Sequence, residues 1–298
     1  MNKKQKKIAY VFMLDTSLSM RNVMEQLRIN AKAFVACSFA GDQFAVCQFY
    51  DKANWVYPPS ATLVTVSEGA ALEVLEACRC IDSLQDEGIT TNIGAAIQLA
   101  KEAIVSSTAD FDAFVLMSDG EHLSGPEPDT VLGDTPPIFI AGMGPFLKPG
   151  YFDKMKDKNP LSQVIMAKNY SDMMLLFNML RGSIPGVQLL KNERITLLAK
   201  TQTVFPVDVK SAKGMLRISV VWPATRFCYS AQQNVPNTLC VYLVAPDGAQ
   251  ANATPFYAQG GFCVFNTEIP FTGEWNVHIE NNFDEQCDTT LGVFFVED

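Results

Sequence analysis

The chain has 298 residues, enough for two domains, and 48% of them are hydrophobic against 18% charged, which excludes a disordered chain. Its 32 acidic and 23 basic residues give a net charge of −9, and this acidic balance argues against nucleic acid as a partner. No apolar run reaches the ~18 residues of a membrane-spanning helix. No export signal is recognisable, so the sequence predicts a cytoplasmic protein, with a surface or extracellular location left open.

Strand and helix patterns alternate through the first two-thirds of the chain. The predicted strands are 8–14, 43–50, 111–117, 137–142 and 163–167, and a short hairpin is predicted from 55–57 and 62–64. The predicted helices are 23–39, 70–84, 92–106 and 171–181. This alternation predicts an α/β fold with a doubly wound, mostly parallel, Rossmann-like sheet covered by helices on both faces.

The pattern changes at 182–186, where two glycines, a serine and a proline stand together. Beyond this point the chain shows short alternating stretches separated by turn residues, and they predict strands at 203–209, 216–222, 239–244, 262–269, 275–279 and 291–296. Evenly spaced short strands favour an antiparallel, immunoglobulin-like β-sandwich. We therefore predict two domains, 1–185 and 187–298.

The eight cysteines do not form a CxxC pair, and the chain has only two histidines, so a zinc site has little support. Most of the cysteines are expected to be buried thiols. Their pairing is left open by the sequence.

Three polar segments stand at the carboxyl ends of predicted strands, where open α/β sheets bind their ligands. They cover 15–20, 90–97 and 116–121, and together they offer two carboxylates and several hydroxyls. Hard oxygen donors suit Mg²⁺, with Mn²⁺ or Ca²⁺ as alternatives, and they do not suit zinc or copper. In an extended turn Asp15, Ser17 and Ser19 point the same way, so they can converge on one ion.

These segments, in this order and strand context, resemble the metal-ion-dependent adhesion site of the von Willebrand factor type A domain, over about the first 185 residues. The resemblance implies that Asp15, Ser17, Ser19, Thr91 and Asp119 hold the metal, the hydroxyls directly and the aspartates often through water. It also implies that the metal binds an acidic side chain of a partner protein.

Two residues depart from the family pattern. Leu18 stands where the family often has glycine, and Ile89 stands where a double glycine is common before the threonine. Both leave every ligand in place. Thr90, directly before Thr91, is an alternative for the threonine ligand.

The leading hypothesis is a non-enzymatic module that binds a protein partner through one divalent cation. Its contact rim is predicted to contain Leu18, Thr90, Glu121 and His122. One alternative is a metal-assisted hydrolase with His122 as the proton acceptor. Another is a structural assembly subunit whose metal only stabilises the fold. The oligomeric state is left open.

Overall fold

The computed structural model of the chain describes residues 6–68, 71–133, 136–143, 147–148, 150–167, 172–184, 186–211, 213–222, 227–251, 255–269 and 272–297. These residues form two compact units, Lys6–Leu176 and Phe177–Asp298. The division falls inside a helix, Asp172–Gly182, whereas the sequence placed the boundary at 185. Residue 185 itself lies outside the described residues, so the domain limits of 1–185 and 187–298 stay predictions.

The first unit contains seven strands and five complete helices among its described residues, and a sixth helix, α6, begins in it. The strands are β1 (Ile8–Asp15), β2 (Gln43–Phe49), β3 (Ala53–Tyr57), β4 (Val64–Thr65), β5 (Phe111–Ser118), β6 (Ile138–Met143) and β7 (Gln163–Ala167). The helices are α1 (Met24–Ala36), α2 (Leu72–Asp82), α3 (Ile93–Ile104), α4 (Pro128–Leu132), α5 (Asp153–Lys156) and α6 (Asp172–Gly182).

The seven strands form one sheet in the order β3-β2-β1-β5-β6-β7, with β4 also on β2. Strand β1 is central, pairs in parallel with β2 and β5, and is buried along its whole length. Its alternate side chains face opposite ways: Val11 and Met13 share a core with α3, while Tyr10 and Phe12 contact Phe34 of α1. Helices therefore cover both faces, which confirms the doubly wound α/β fold.

The predicted hairpin at 55–57 and 62–64 is wrong. Strands β3 and β4 do not pair with each other, and each lies antiparallel to a different part of β2. Both strands pair with β2, which is longer than either of them. Without them β2 would lie at the edge of the sheet. A sheet edge with unpaired backbone groups is a ready template for such additions.

The second unit is all β beyond α6 in its described residues. Its strands are β8 (Val187–Leu197), β9 (Thr201–Val209), β10 (Gly214–Val221), β11 (Cys228–Ser230), β12 (Thr238–Val244), β13 (Gln250–Ala251), β14 (Pro255–Gln259), β15 (Phe262–Glu268), β16 (Gly273–Asn281) and β17 (Cys287–Glu297). They form two sheets, β14-β15-β10-β17-β8 and β11-β12-β16-β9, with β13 on β12.

One hydrophobic core, which contains residues of both sheets, holds this unit together. Trp222 and Trp275 are buried in it, and the indole N–H of Trp222 donates to the carbonyl of Phe227 at 2.7 Å. The predicted β-sandwich is confirmed. All pairings between its strands are antiparallel except that of β11 with β12.

Six of the eight cysteines are buried, as the sequence predicts. Cys47, Cys80, Cys240 and Cys263 are free thiols. Among the described residues, none of the helices combines the length and apolar character that crossing a membrane would require.

Candidate metal centre

The site is built around the carboxyl end of β1. Asp15 ends this strand, is fully buried, and lies next to the end of β5, because Leu14 pairs with Met117. The hydroxyl of Ser118, the last residue of β5, donates to Asp15 Oδ2 at 2.5 Å. The backbone N–H of Ser17 donates to Asp15 Oδ1 at 2.9 Å. The carboxylate is thus fixed by the two central strands of the sheet.

The chain leaves β1 through an extended residue, Ser17, and enters a 3₁₀ helix over Leu18–Val23. This turn brings two hydroxyls together, with Ser17 Oγ and Ser19 Oγ 3.0 Å apart. The Ser19 hydroxyl also donates to Asp119 Oδ1 at 2.8 Å. The first and third sequence segments therefore meet, although 100 residues separate Ser19 from Asp119.

Thr91 brings in the second segment, just before α3. Its Oγ1 lies 3.4 Å from Ser17 Oγ, and its side chain approaches the backbone of Gly120 so closely that a Cβ there would stand 3.2 Å from Thr91 Oγ1. The side chain of Asn92 caps α3 by accepting from the N–H of Ala95 at 2.9 Å. Because Asn92 does the capping, the Thr91 hydroxyl is not needed for it.

The alternative ligand, Thr90, is engaged elsewhere. Its hydroxyl donates to Asp51 Oδ1 at 2.8 Å and lies 2.9 Å from Ser124 Oγ. The structure thus brings together Asp15, Ser17, Ser19, Thr91 and Asp119, and it directs the Thr90 side chain away from them. That the five residues ligate a metal stays a prediction.

Both aspartates carry an unfavourable charge in the absence of a cation. Burial raises the pKa of Asp15 to about 6, although hydrogen bonds from Ser118 and Ser17 act in the opposite direction. Burial also raises the pKa of Asp119, with the hydrogen bond from Ser19 lowering it. Among the described residues, no basic side chain acts to lower the pKa of either carboxylate. A bound cation would supply the positive charge that stabilises their ionised forms.

The residues present fit a hard divalent cation. They supply two carboxylates and three hydroxyls within one connected set of contacts at 2.8–3.4 Å. Within the part of the chain that the structure describes, no group of three or more His, Cys, Asp or Glu residues is placed to hold a metal. Three of the five donor side chains are neutral hydroxyls, and an all-oxygen set of this kind suits a hard divalent cation.

A cleft of about 360 Å³ opens over the cluster. It is lined by Ser19, Ile89, Thr91, Asp119, Gly120, Glu121, Leu123 and Lys148. Of the four predicted rim residues only Glu121 is in this lining, where it pairs with Lys148 at 3.2 Å. Leu18 is exposed beside the serines, and Nε2 of His122 lies 3.4 Å from the carbonyl oxygen of Gly125.

Sequence reasoning did not assign roles to two residues that support the site. Ser118 orients Asp15, and Asp51 accepts hydrogen bonds from the backbone of Ile89 and Thr90. Asp51 follows the end of β2, the strand beside β1. The rule that polar residues gather at the carboxyl ends of parallel strands could therefore have singled it out.

Residues 10–121 match the family model of the von Willebrand factor type A domain. The matched residues lie within the first unit. A von Willebrand factor type A structure from Catenulispora acidiphila superposes with a TM-score of 0.54 at 16% identity, over 93% of this chain and 58% of that one. This likeness supports the fold. No curated protein sequence matches the chain.

Two further solved structures are similar at lower TM-scores. One is proximal thread matrix protein 1 from the mussel byssus with a zinc-occupied MIDAS motif, at 14% identity and a TM-score of 0.48, over 67% of this chain and 51% of that one. The other is the PilB minor pilin from Streptococcus sanguinis, at 14% identity and 0.46, over 60% and 61%. The chain spans between one half and two-thirds of the length of these three proteins.

Proposed function

We propose that Asp15, Ser17, Ser19, Thr91 and Asp119 hold one divalent cation, Mg²⁺ in preference to Mn²⁺ or Ca²⁺, and that the protein uses it to bind an Asp or Glu side chain of a partner protein. The observation that carries this proposal is the position of Ser19. Its hydroxyl joins Asp119 to Ser17, and Thr91 Oγ1 lies 3.4 Å from Ser17 Oγ, so the three segments form one oxygen-lined surface under an open cleft.

The division of labour among the donors supports binding of an outside carboxylate. Asp15 is wholly buried and held by Ser118 and Ser17, so it is placed to orient the site from behind. Ser19 and Thr91 line the cleft with neutral oxygens. The three hydroxyls bring no charge to a bound cation, which can therefore take a further charged oxygen ligand, and an acidic side chain from another protein would supply it.

The hydrolase alternative gains no support from the position of His122. A proton acceptor must reach the reacting atoms within hydrogen-bond distance. The imidazole of His122 is not among the residues that line the cleft, and its Nε2 faces the carbonyl of Gly125. We therefore propose binding rather than catalysis.

Metal binding is tested first, by calorimetric titration of the full chain with MgCl₂. Asp119→Asn should lower the affinity for Mg²⁺ at least tenfold, since it removes one of the two negative charges. Asp112→Asn is the matched control, because Asp112 lies at the opposite end of β5 and likewise accepts a serine hydroxyl, at 2.6 Å from Ser107. A wild-type protein that binds none of the three cations at millimolar concentration would refute the proposal.

Partner binding is tested by capture from a native lysate with Mg²⁺ and with a chelator. A specific partner should be retained by wild type and Asp112→Asn in Mg²⁺, and should be lost with Asp119→Asn or with the chelator. Retention of the partner also by Asp119→Asn and in the chelator would show that the partner uses another surface. An adhesive or assembly role, the compartment and the oligomeric state stay predictions until that partner is known.

A further inference from the structure

Three exposed aliphatic side chains stand in the loops that carry the candidate metal residues. Leu18 lies between Ser17 and Ser19, Ile89 lies two residues before Thr91, and Leu123 lies four residues after Asp119. Their exposed fractions are 43%, 82% and 66%. Apolar side chains scattered singly on a surface are ordinary, but a concentration around one cleft marks a binding surface.

Ile89 is exposed although its backbone is firmly held. Its N–H donates to Asp51 Oδ1 at 3.0 Å, and the same oxygen accepts from the N–H of Thr90 at 2.7 Å. These hydrogen bonds lower the pKa of Asp51, so the anchoring carboxylate is ionised at neutral pH. Gly88 before it has φ +67°, and a Cβ there would lie 2.5 Å from the Tyr50 ring. The backbone of this loop is therefore held by hydrogen bonds to Asp51 while the Ile89 side chain is exposed.

Leu123 is anchored in a similar way. Its N–H donates to the carbonyl oxygen of Thr91 at 2.8 Å, so the loop after Asp119 is tied to the loop that supplies the threonine. When a ligand covers side chains on a backbone that is already held in place, the cost of ordering that backbone does not arise. Both Ile89 and Leu123 thus have the properties of a preformed contact surface.

Ile89 and Leu123 line the same cleft of about 360 Å³ as Thr91 and Asp119. A partner side chain that enters this cleft to reach Thr91 and Asp119 therefore brings its neighbouring residues close to Ile89 and Leu123. The cleft is also lined by the ion pair of Lys148 and Glu121, with Lys148 Nζ 3.2 Å from Glu121 Oε1, so its lining is only partly apolar. The occupant is accordingly an acidic peptide segment rather than a broad apolar surface.

We propose that Ile89 and Leu123 form an apolar rim that selects partner segments in which the metal-binding Asp or Glu is flanked by aliphatic residues. This inference rests on the proposed function, since it needs the acidic residue to be held by the cation. Covering one such side chain contributes about tenfold in affinity.

The test uses immobilised peptides of seven residues and the full chain in solution. The first peptide is Gly-Ser-Leu-Asp-Leu-Ser-Gly, the second replaces both leucines with serine, and the third replaces the aspartate with asparagine. Binding is measured by biolayer interferometry with Mg²⁺ and with a chelator. We expect the first peptide to bind at least tenfold more tightly than the second, only in Mg²⁺, and the third not to bind.

Matched variants locate the effect. Ile89→Ser and Leu123→Ser should each abolish most of the preference for leucine over serine. Val105→Ser and Leu72→Ser should preserve it, because these side chains are 85% and 66% exposed and lie outside the cleft. Thermal melting checks that all four variants remain folded.

Two results would overturn the rim and differ in their meaning. If both aspartate peptides bind equally in Mg²⁺ and the rim variants change nothing, the rim is wrong while the cation-dependent function stands. If no peptide binds, or if the asparagine peptide or the chelator makes no difference, both the rim and the capture of acidic residues are wrong.

Discussion

Two fully buried polar side chains, Asn281 in the second unit and Asp15 in the first, differ in how their surroundings satisfy them. The Asn281 amide nitrogen lies 2.9–3.2 Å from the carbonyl oxygens of Leu197, Leu198 and Glu285, and its Oδ1 accepts from the N–H of Phe283 at 3.0 Å. Asp15 also accepts hydrogen bonds, yet burial still raises its pKa to about 6. The hydrogen-bonding groups of the Asn281 side chain all have partners, whereas the Asp15 carboxylate has no positive charge beside it among the described residues.

The difference separates structural polar groups from functional ones. A buried group whose hydrogen bonds all go to nearby backbone fixes a loop, and removing it exposes the unpaired backbone groups. A buried, ionised carboxylate without a neighbouring positive charge lowers the stability of the folded state. Carboxylates with such raised pKa values are typical of binding and catalytic sites.

The largest expected effect is on Asn281. Asn281→Ala leaves three carbonyl oxygens and one N–H without this partner, so it should lower the free energy of unfolding by about 3 kcal/mol. Chemical denaturation of the full chain measures this change, and the response to Mg²⁺ should be unaltered. Asn282→Ala is the control, because the adjacent Asn282 Nδ2 has no hydrogen-bond partner among the residues that the structure describes. Equal losses in both variants would contradict the structural role of Asn281.

Asp15→Asn should have the opposite sign. At pH 7 in a chelator the ionised carboxylate disfavours the folded state, so the variant should be more stable than wild type by about 2 kcal/mol. It should also lose the rise in melting temperature that Mg²⁺ gives to wild type. Asp42→Asn is the control, since buried Asp42 accepts the backbone N–H groups of Ile8 and Phe39 at 3.1 and 2.8 Å, and it should be destabilised. Destabilisation of Asp15→Asn in the chelator would give Asp15 a structural role as well.

The pKa of Asp15 predicts how metal binding depends on pH. Its folded-state pKa of about 6 lies above the ordinary 3.8, so between these values the folded protein holds a proton that the unfolded chain lacks. The metal-free protein therefore loses stability as the pH rises through this window. A cation competes with that proton, so Mg²⁺ affinity should fall by up to tenfold per pH unit below about 6. Titrations at pH 5, 6 and 7.5 measure the slope, and an unchanged affinity would contradict a role for ionised Asp15.

The spatial grouping of the candidate site residues could be predicted from the sequence, because the order and direction of the strands determine it. Parallel strands place their carboxyl ends at one edge of the sheet, so Asp15 and Asp119 meet although about a hundred residues separate them. Spacing alone could not choose between Thr90 and Thr91. The choice depends on Asp51, which holds the Thr90 hydroxyl and lies on a loop to which no role had been assigned.

Outside the site, the sequence predicted a strand with a continuous apolar run and missed an edge strand that carries charges. Strand β1 is an unbroken apolar run and was predicted to within one residue. Strand β8 was missed, since it lies at the edge of its sheet and carries Lys191, Glu193 and Arg194 in its middle. Charges on an edge strand protect it from pairing with other chains. The same charges interrupt the alternation of apolar residues by which a strand is recognised in a sequence.

The smallest expected effect on stability, and the sharpest test of the ligand set, comes from the two adjacent threonines. Thr91→Ala removes a hydroxyl whose hydrogen-bond contact within the described residues is the 3.4 Å approach to Ser17 Oγ, so it should change the free energy of unfolding by less than about 1 kcal/mol. Loss of one ligand in six should nevertheless weaken Mg²⁺ binding about tenfold, which corresponds to roughly 1.4 kcal/mol.

Thr90→Ala should do the reverse, because the hydroxyl of Thr90 ties its loop to Asp51 at 2.8 Å and takes no part in the cluster. Its unfolding free energy should fall by about 1 kcal/mol while its Mg²⁺ affinity stays that of wild type. Parallel denaturation and calorimetric titration of the two variants give all four values. If Thr90→Ala lost the metal and Thr91→Ala kept it, then the loop would rearrange on binding, and Thr90 would be the ligand.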